Sequence, residues 1–272
     1  MKAYKKVLSI AGSDSGGGAG IQADLKTISA LGCYGTTAIT AITAQNTRGV
    51  QGIFPVTPEM VEKQIRAVLE DVGTDAVKIG MLHSAKIIRT VSVVLREFGV
   101  RKIVLDPVMV AASGDRLIED NTLDAMRQYL FPLADLVTPN IPEAGILLEE
   151  EIATKEEMTG AAARLLKLGS RAVLLKGGHM TGEILYDVLA RNAGTGKISI
   201  FENRKINTGN VHGTGCTLSS AIASFLARGE EMEAAVEKAI GYMQQAIGRG
   251  KDYRTGRGAG PVNHFFDPEK LK

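Results

Sequence analysis

The sequence predicts an α/β fold: a central, mostly parallel sheet with helices on both faces and a small antiparallel hairpin at one edge. Three observations carry this. Short β-branched runs alternate with longer helical segments along most of the 272 residues. The runs are apolar almost without interruption, the pattern of strands covered on both faces. The chain also holds 31 glycines, against roughly 19 at the usual frequency of about 7%, and many fall where the runs end. Right-handed crossovers then fix the gross topology. There is no internal repeat, low-complexity linker or composition shift, so residues 1–272 read as a single domain.

The elements follow in order. Residues 6–11 (KVLSIA) form a first strand, then a glycine-rich loop, then a helix over about 19–31 with Gly32 at its C′ position. Residues 36–43 (TTAITAIT) are β-branched enough for a buried strand. Thr57 as N-cap and Pro58 at N1 start a helix to residue 72. A strand at 76–79 precedes a helix at 84–98 stopped by Gly99. Strand 102–106, helix 121–130 and the short strand 135–138 come next. Thr154 with Glu157 forms a capping box for a helix ending near residue 168, and 172–176 (AVLLK) is a further buried strand. Residues 184–190 and 197–202 read as an antiparallel hairpin around residues 192–196. Two helices, 216–227 and 232–247, close the chain, separated by Gly229.

Charges nearly cancel, with 32 Lys+Arg against 30 Asp+Glu, so no basic or acidic face points to nucleic acid or membrane. Two isolated cysteines, Cys33 and Cys216, are not a disulfide framework and suit a reducing compartment, the cytoplasm. The N-terminal apolar stretch is too short for a signal peptide, and no apolar run is long enough for a transmembrane helix.

In open α/β sheets ligands bind beyond the carboxyl ends of the strands. Gly12-Ser13-Asp14-Ser15-Gly16-Gly17-Gly18-Ala19-Gly20 follows the first strand. It has neither dinucleotide nor Walker A spacing, and reads either as a tight turn or as a loop that cradles a ligand with its amides. Asn207–Cys216 leads into a helix, so Gly213, Thr214 and Gly215 offer amides and the positive end of the macrodipole to an anion. There Cys216 is either a thiol with its pKa drawn down or a small packed residue. Asp106, Asn140 with Glu143, and Lys176 each follow a strand. Singly these are caps or turns; together they supply the hard oxygens and lysine of a Mg²⁺–nucleotide site. His83, His179, His212 and His264 have no metal-ligand spacing, and no Ser-His-Asp arrangement or nucleophile elbow is present.

The stretch Ile10-Ala11-Gly12-Ser13-Asp14-Ser15-Gly16-Gly17-Gly18-Ala19-Gly20-Ile21-Gln22-Ala23-Asp24-Leu25-Lys26 resembles the opening of the hydroxymethylpyrimidine/phosphomethylpyrimidine kinases, of the ribokinase-like superfamily. The similarity continues through Ala44-Gln45-Asn46-Thr47, Lys78-Ile79-Gly80-Met81-Leu82, Asp106-Pro107-Val108-Met109, Thr138-Pro139-Asn140-Ile141-Pro142-Glu143-Ala144, Lys176-Gly177-Gly178-His179, His212-Gly213-Thr214-Gly215-Cys216-Thr217 and Gly260-Pro261-Val262-Asn263-His264-Phe265. It covers essentially the whole chain in order.

The resemblance implies a ribokinase-like fold, ATP with Mg²⁺ across the strand ends, and two successive phosphorylations of 4-amino-5-hydroxymethyl-2-methylpyrimidine in thiamine biosynthesis. It implies that Gly12, Asp24, Gln45, Met81 and Val108 surround the pyrimidine. Cys216 stands where sugar kinases carry an aspartate base and would accept or relay the hydroxyl proton. The amides of Gly213, Thr214 and Gly215 would stabilise the transferred group, and Lys176 would contact phosphate. Asn140 and Glu143 would organise Mg²⁺ through water with Asp106 nearby, and Lys238 would border the nucleotide. A homodimer is also implied. The nearest alternatives are a pyridoxal kinase on the same scaffold and a non-catalytic nucleotide- or pyrimidine-binding module.

Overall fold

A computed structural model describes residues 3–109, 119, 121–192 and 197–270. The strands are β1 (Lys6–Asp14), β2 (Tyr34–Asn46), β3 (Gly49–Pro55), β4 (Ala76–Ile79), β5 (Ile103–Leu105), β6 (Leu136–Val137), β7 (Ala172–Leu175), β8 (Ile184–Arg191) and β9 (Lys197–Arg204). They form one sheet in the order β3-β2-β1-β4-β5-β6-β7-β8-β9. The run from β2 to β7 is parallel, while β3 at one edge and the β8–β9 hairpin at the other are antiparallel. The expected hairpin is therefore present; residues 193–196 of its turn lie outside the described residues. The strand order reverses beside β1, whose neighbours are β2 and β4, which makes that edge the switch point where ligands collect.

The helices are α1 (Gly20–Ala30), α2 (Pro58–Ala67), α3 (Ala85–Glu97), α4 (Thr122–Ala125), α5 (Ile141–Leu148), α6 (Lys155–Leu166), α7 (Thr214–Ala227) and α8 (Met232–Gly250). Local chemistry explains their ends. Thr57 accepts the Met60 amide ahead of Pro58, and Thr154 and Glu157 make a reciprocal capping box. α2 passes into a π-helical turn at Val68–Val72 and α4 into one at Met126–Leu130. Three departures from the sequence expectation concern the functional edge. β2 runs on to Asn46 and pairs with β3, a strand the β-branched pattern did not mark. α5 starts directly after Asn140, in a stretch to which the sequence pattern assigns no element beyond a cap or turn. α7 begins at Thr214, two residues before the expected start.

Each buried strand divides its side chains between two cores. Leu8, Ile10, Val77, Ile79, Ile103, Leu105, Val137, Val173 and Leu175 face the layer that holds Val61, Ile87, Leu130, Ala144 and Leu165 of the α2–α6 region. Val7, Ala76, Val104, Leu136, Ala172 and Leu174 face α1, α7 and α8 through Ile28, Ile222 and Val236. The alternation places Asp106, Thr138 and Lys176, just past the ends of β5, β6 and β7, on the α7 side of the sheet.

Candidate active site

The first glycine loop is organised by Asp14, the last residue of β1. Its Oδ1 accepts the Gly16 amide at 2.7 Å, and its Oδ2 accepts those of Gly18 and Ala19 at 3.0 and 2.8 Å. Burial raises the Asp14 pKa, but hydrogen bonds from His212, Ala19 and Gly16 outweigh it and hold the carboxyl below its ordinary range. These amides are therefore already used within the loop.

The second glycine loop packs on the first. Gly213 has φ +79, and a Cβ there would lie 1.8 Å from the Gly18 carbonyl oxygen, so no side chain fits. This contact puts the N-terminus of α7 against the residues after β1. Gly215, in its first turn, approaches Asp106 Oδ2 and Lys176 Nζ, each 3.4 Å from where its Cβ would stand. Lys176 Nζ donates to Asp106 Oδ1 at 2.9 Å, and Thr138 Oγ1 donates to the same oxygen at 3.1 Å. Burial lowers the Lys176 pKa, but Asp106 and Glu143 outweigh it and keep the group protonated.

Asn140 caps α5: its Oδ1 accepts the Glu143 amide, and Glu143 Oε2 accepts the Asn140 amide, both at 2.8 Å. Burial pushes the Glu143 carboxyl up to about 7, with Lys176 opposing and Asp106 adding. Asn140 and Lys176 are tied by a bridge between their backbones. Asp106, Asn140, Glu143, Lys176 and Gly215 thus form one group at the strand ends. Among the described residues no three His, Cys, Asp or Glu side chains make a metal cage.

Cys216 is half-buried and free. Burial pushes its thiol up to about 11, with Lys78 opposing, Asp24 and Asp106 adding, and the Gly20 amide as hydrogen-bond donor. The lowered thiol pKa expected from a helix N-terminus is not found, because loss of water around the sulfur, with Asp24 and Asp106 nearby, outweighs Lys78 and the Gly20 amide. Gly20 in turn packs on Gly12, its Cβ position lying 2.4 Å from the Gly12 carbonyl oxygen. Met81 covers Gly12, with Cε 2.6 Å from the Cβ position there. Gln45 lies alongside, its backbone exchanging hydrogen bonds of 2.7 and 2.8 Å with Ser15 Oγ. Val108 is half-buried after β5 and packs on the adjoining core. Cys216 therefore stands beside Gly20, which packs on Gly12 under Met81, and within electrostatic reach of Asp106 and Lys176.

Two expected site residues lie elsewhere. Asp24 is fully buried: Lys78 Nζ binds its two oxygens at 2.8 and 2.9 Å, Ser220 donates to Oδ1 at 2.7 Å and Ser9 to Oδ2 at 2.6 Å. Its acceptors face the fold, so it presents no edge to a pyrimidine. Lys238 pairs with Glu230 in the loop joining α7 and α8, at the opposite end of α7 from Gly215, and does not join the strand-end group. Conversely, sequence reasoning passed over Asp14, His212 and Lys78. Each lies inside a quoted motif, but the pairings of His212 with Asp14 and of Lys78 with Asp24 span 198 and 54 residues of the chain.

Residues 14–263 match the family described as phosphomethylpyrimidine kinase. The chain belongs to this family. It is 49% identical to the hydroxymethylpyrimidine/phosphomethylpyrimidine kinase of Rhizobium meliloti (strain 1021), covering 95% of this chain and 96% of that protein. It is 48% identical to the thiamine biosynthesis bifunctional protein ThiED of Geobacter sulfurreducens, covering 98% of this chain and 53% of that protein, so it spans about half of that relative's length. A solved phosphomethylpyrimidine kinase of Clostridium difficile 630 superposes with a TM-score of 0.79 at 43% identity, covering 90% of this chain and all of that one. The pyridoxal kinase of Staphylococcus aureus in complex with pyridoxal gives 0.88 at 34% identity, covering 97% and 94%. The family's ribokinase-like architecture is the fold described above.

Proposed function

We propose that the chain transfers the γ-phosphoryl group of ATP to the hydroxymethyl group of 4-amino-5-hydroxymethyl-2-methylpyrimidine, and then phosphorylates the monophosphate to the diphosphate, in thiamine biosynthesis. The observation that carries this is the position of Cys216 in the first turn of α7, beside Gly20 and Gly12 and within electrostatic reach of the Asp106–Lys176 pair. Identities of 41 to 49% to hydroxymethylpyrimidine/phosphomethylpyrimidine kinases, against 32 to 35% to pyridoxal kinases, favour the pyrimidine.

The α7 N-terminus supplies amides of Gly213, Thr214 and Gly215 to the charge on the transferred group. Lys176 neutralises phosphate, and Asp106 holds its ammonium in place. Mg²⁺ fits the donor chemistry, since Asp106, Glu143 and Asn140 are hard oxygen donors gathered at the strand ends. With few protein ligands, the ion would arrive on the phosphates and keep much of its water, as Mg²⁺ commonly does. Its part is to neutralise charge on the nucleotide. Cys216 is a neutral thiol, so it acts as a relay: the sulfur accepts the hydroxyl proton as its own proton passes to an oxygen of the transferred phosphoryl group. A loose transition state asks little of base strength, and positioning dominates.

The protein acts as a homodimer. Ile42 and Phe54 sit directly opposite each other on β2 and β3 and are 52% and 71% exposed, an apolar pair suited to cover by a second copy. No helix among the described residues is long and apolar enough to cross a membrane, and two unpaired cysteines suit the reducing cytoplasm. The mechanism is tested with Cys216→Ala. Its kcat is expected to fall on the order of a hundredfold or more while ATP binding by calorimetry is retained; undiminished turnover would sink the assignment.

A further inference from the structure

With Asp24 turned into the fold, Gln45 is the polar side chain left in the expected pyrimidine group, and whatever holds its carboxamide decides which ring edge it reads. His212 Nε2 lies 3.0 Å from Asp14 Oδ2 and 3.4 Å from Gln45 Nε2. Gln45 Oε1 lies 3.2 Å from Thr43 Oγ1, whose hydroxyl is 2.8 Å from the Ser13 carbonyl oxygen.

Counting protons settles the orientation. Asp14 is a carboxylate and only accepts, so His212 Nε2 carries a proton toward it, in the neutral ring and in the imidazolium alike. A ring N–H cannot accept an amide N–H. Thr43 has one hydroxyl proton, and the Ser13 carbonyl, which only accepts, takes it at the shorter distance. Toward Gln45, Thr43 therefore offers a lone pair. Both neighbours call for the carboxamide turned by half a rotation, with Oε1 toward His212 and an N–H toward Thr43; the two ends of an amide are nearly alike in shape.

We propose that His212 is a positioning residue for substrate selection, locking the Gln45 carboxamide between Thr43 and its own Nε2–H, which is shared in a three-centre bond between Asp14 Oδ2 and Gln45 Oε1. One amide N–H and one carbonyl lone pair then remain for a ligand. That donor–acceptor pair matches a ring nitrogen beside an exocyclic amine. It does not match a pyridine nitrogen flanked by C–H and methyl groups. The inference rests on the pyrimidine kinase reading and adds to it the device that chooses the aminopyrimidine edge. It also links that choice to the phosphate end, because His212 precedes Gly213 and its ring packs on Gly18.

The test is calorimetric binding of the 4-aminopyrimidine and of the analogue with hydrogen in place of the amine. Wild type, His212→Phe, His212→Gln and Thr43→Val are compared. Wild type is expected to prefer the amino compound by about ten- to a hundredfold. His212→Phe and Thr43→Val each free the carboxamide and should cut the preference to below about threefold. His212→Gln, which can present an N–H in much the same place, should restore most of it. Thr43→Val conserves shape and answers the question even where His212→Phe does not fold. A wild type without preference, or a preference kept by the variants that fold, overturns the proposal. A wild type that phosphorylates neither compound in an ATP-turnover assay instead strikes the activity itself.

Discussion

Lys78→Met removes the ammonium that neutralises Asp24 and leaves an unbranched apolar side chain in the same slot. Lys78 and Asp24 side chains are both 0% exposed, and the ion pair is made at 2.8 Å. Losing one partner of a buried pair costs about 3–5 kcal/mol, because the remaining charge has neither water nor a counterion. Ser9 and Ser220 would still donate to Asp24 but cannot replace a full charge. At about 2 °C per kcal/mol for a chain of this size, the unfolding midpoint should drop by about 6–10 °C. The double variant Lys78→Met/Asp24→Leu removes both charges and should recover a good part of the loss, since an apolar replacement of a buried pair is often neutral. Thermal and urea unfolding of the three proteins, followed by circular dichroism, reads both effects. A single variant within about 1 kcal/mol of wild type, or a double variant no better than the single, would refute the assignment of Asp24 to the fold rather than to the ligand.

Three further outcomes follow from the site. The folded-state pKa of Glu143 is raised to about 7, so its contribution to stability is present below the unfolded value and lost as pH rises through about 7. Glu143→Gln keeps a capping acceptor, and unliganded wild type should lose stability relative to it between about pH 5 and about pH 8; an unchanged gap in urea melts contradicts this. Gly213→Ala would drive a methyl group into the Gly18 carbonyl and should lower kcat/KM on the order of a hundredfold by shifting the α7 N-terminus, whereas wild-type kinetics would show that the two loops can part freely. Lys238→Ala should leave the KM for ATP unchanged, and a rise on the order of tenfold would return Lys238 to the nucleotide site.

Much of the fold was legible because its punctuation is local. Gly32, Gly99 and Gly229, expected between or after helices, all take positive φ, as do Gly73 and Gly169. The Thr154/Glu157 capping box needs only residues three apart. The strand-end group was legible for a related reason: a parallel sheet sends every strand end to one edge, so Asp106, Asn140 and Lys176 had to meet near the α7 N-terminus. β3 was missed because Gly49 and Gly52 dilute its β-branched pattern, and its pairing with β2 is what makes it a strand. α5 was hidden by Pro142 and Gly145, although Asn140 and Glu143 carry its capping signature. Asp24 is placed at the pyrimidine by the family resemblance alone, and its pairing with Lys78, 54 residues away, is not visible in the sequence. The protonation of Cys216 turned on burial, which a helix N-terminus seen in sequence does not report.

The most direct test is steady-state turnover of the purified protein with ATP and Mg²⁺ on two acceptors, 4-amino-5-hydroxymethyl-2-methylpyrimidine and pyridoxal. A higher kcat/KM for the aminopyrimidine, with a second phosphorylation giving the diphosphate, is the predicted result. A higher kcat/KM for pyridoxal, or ATP consumption that does not depend on added pyrimidine, would contradict it.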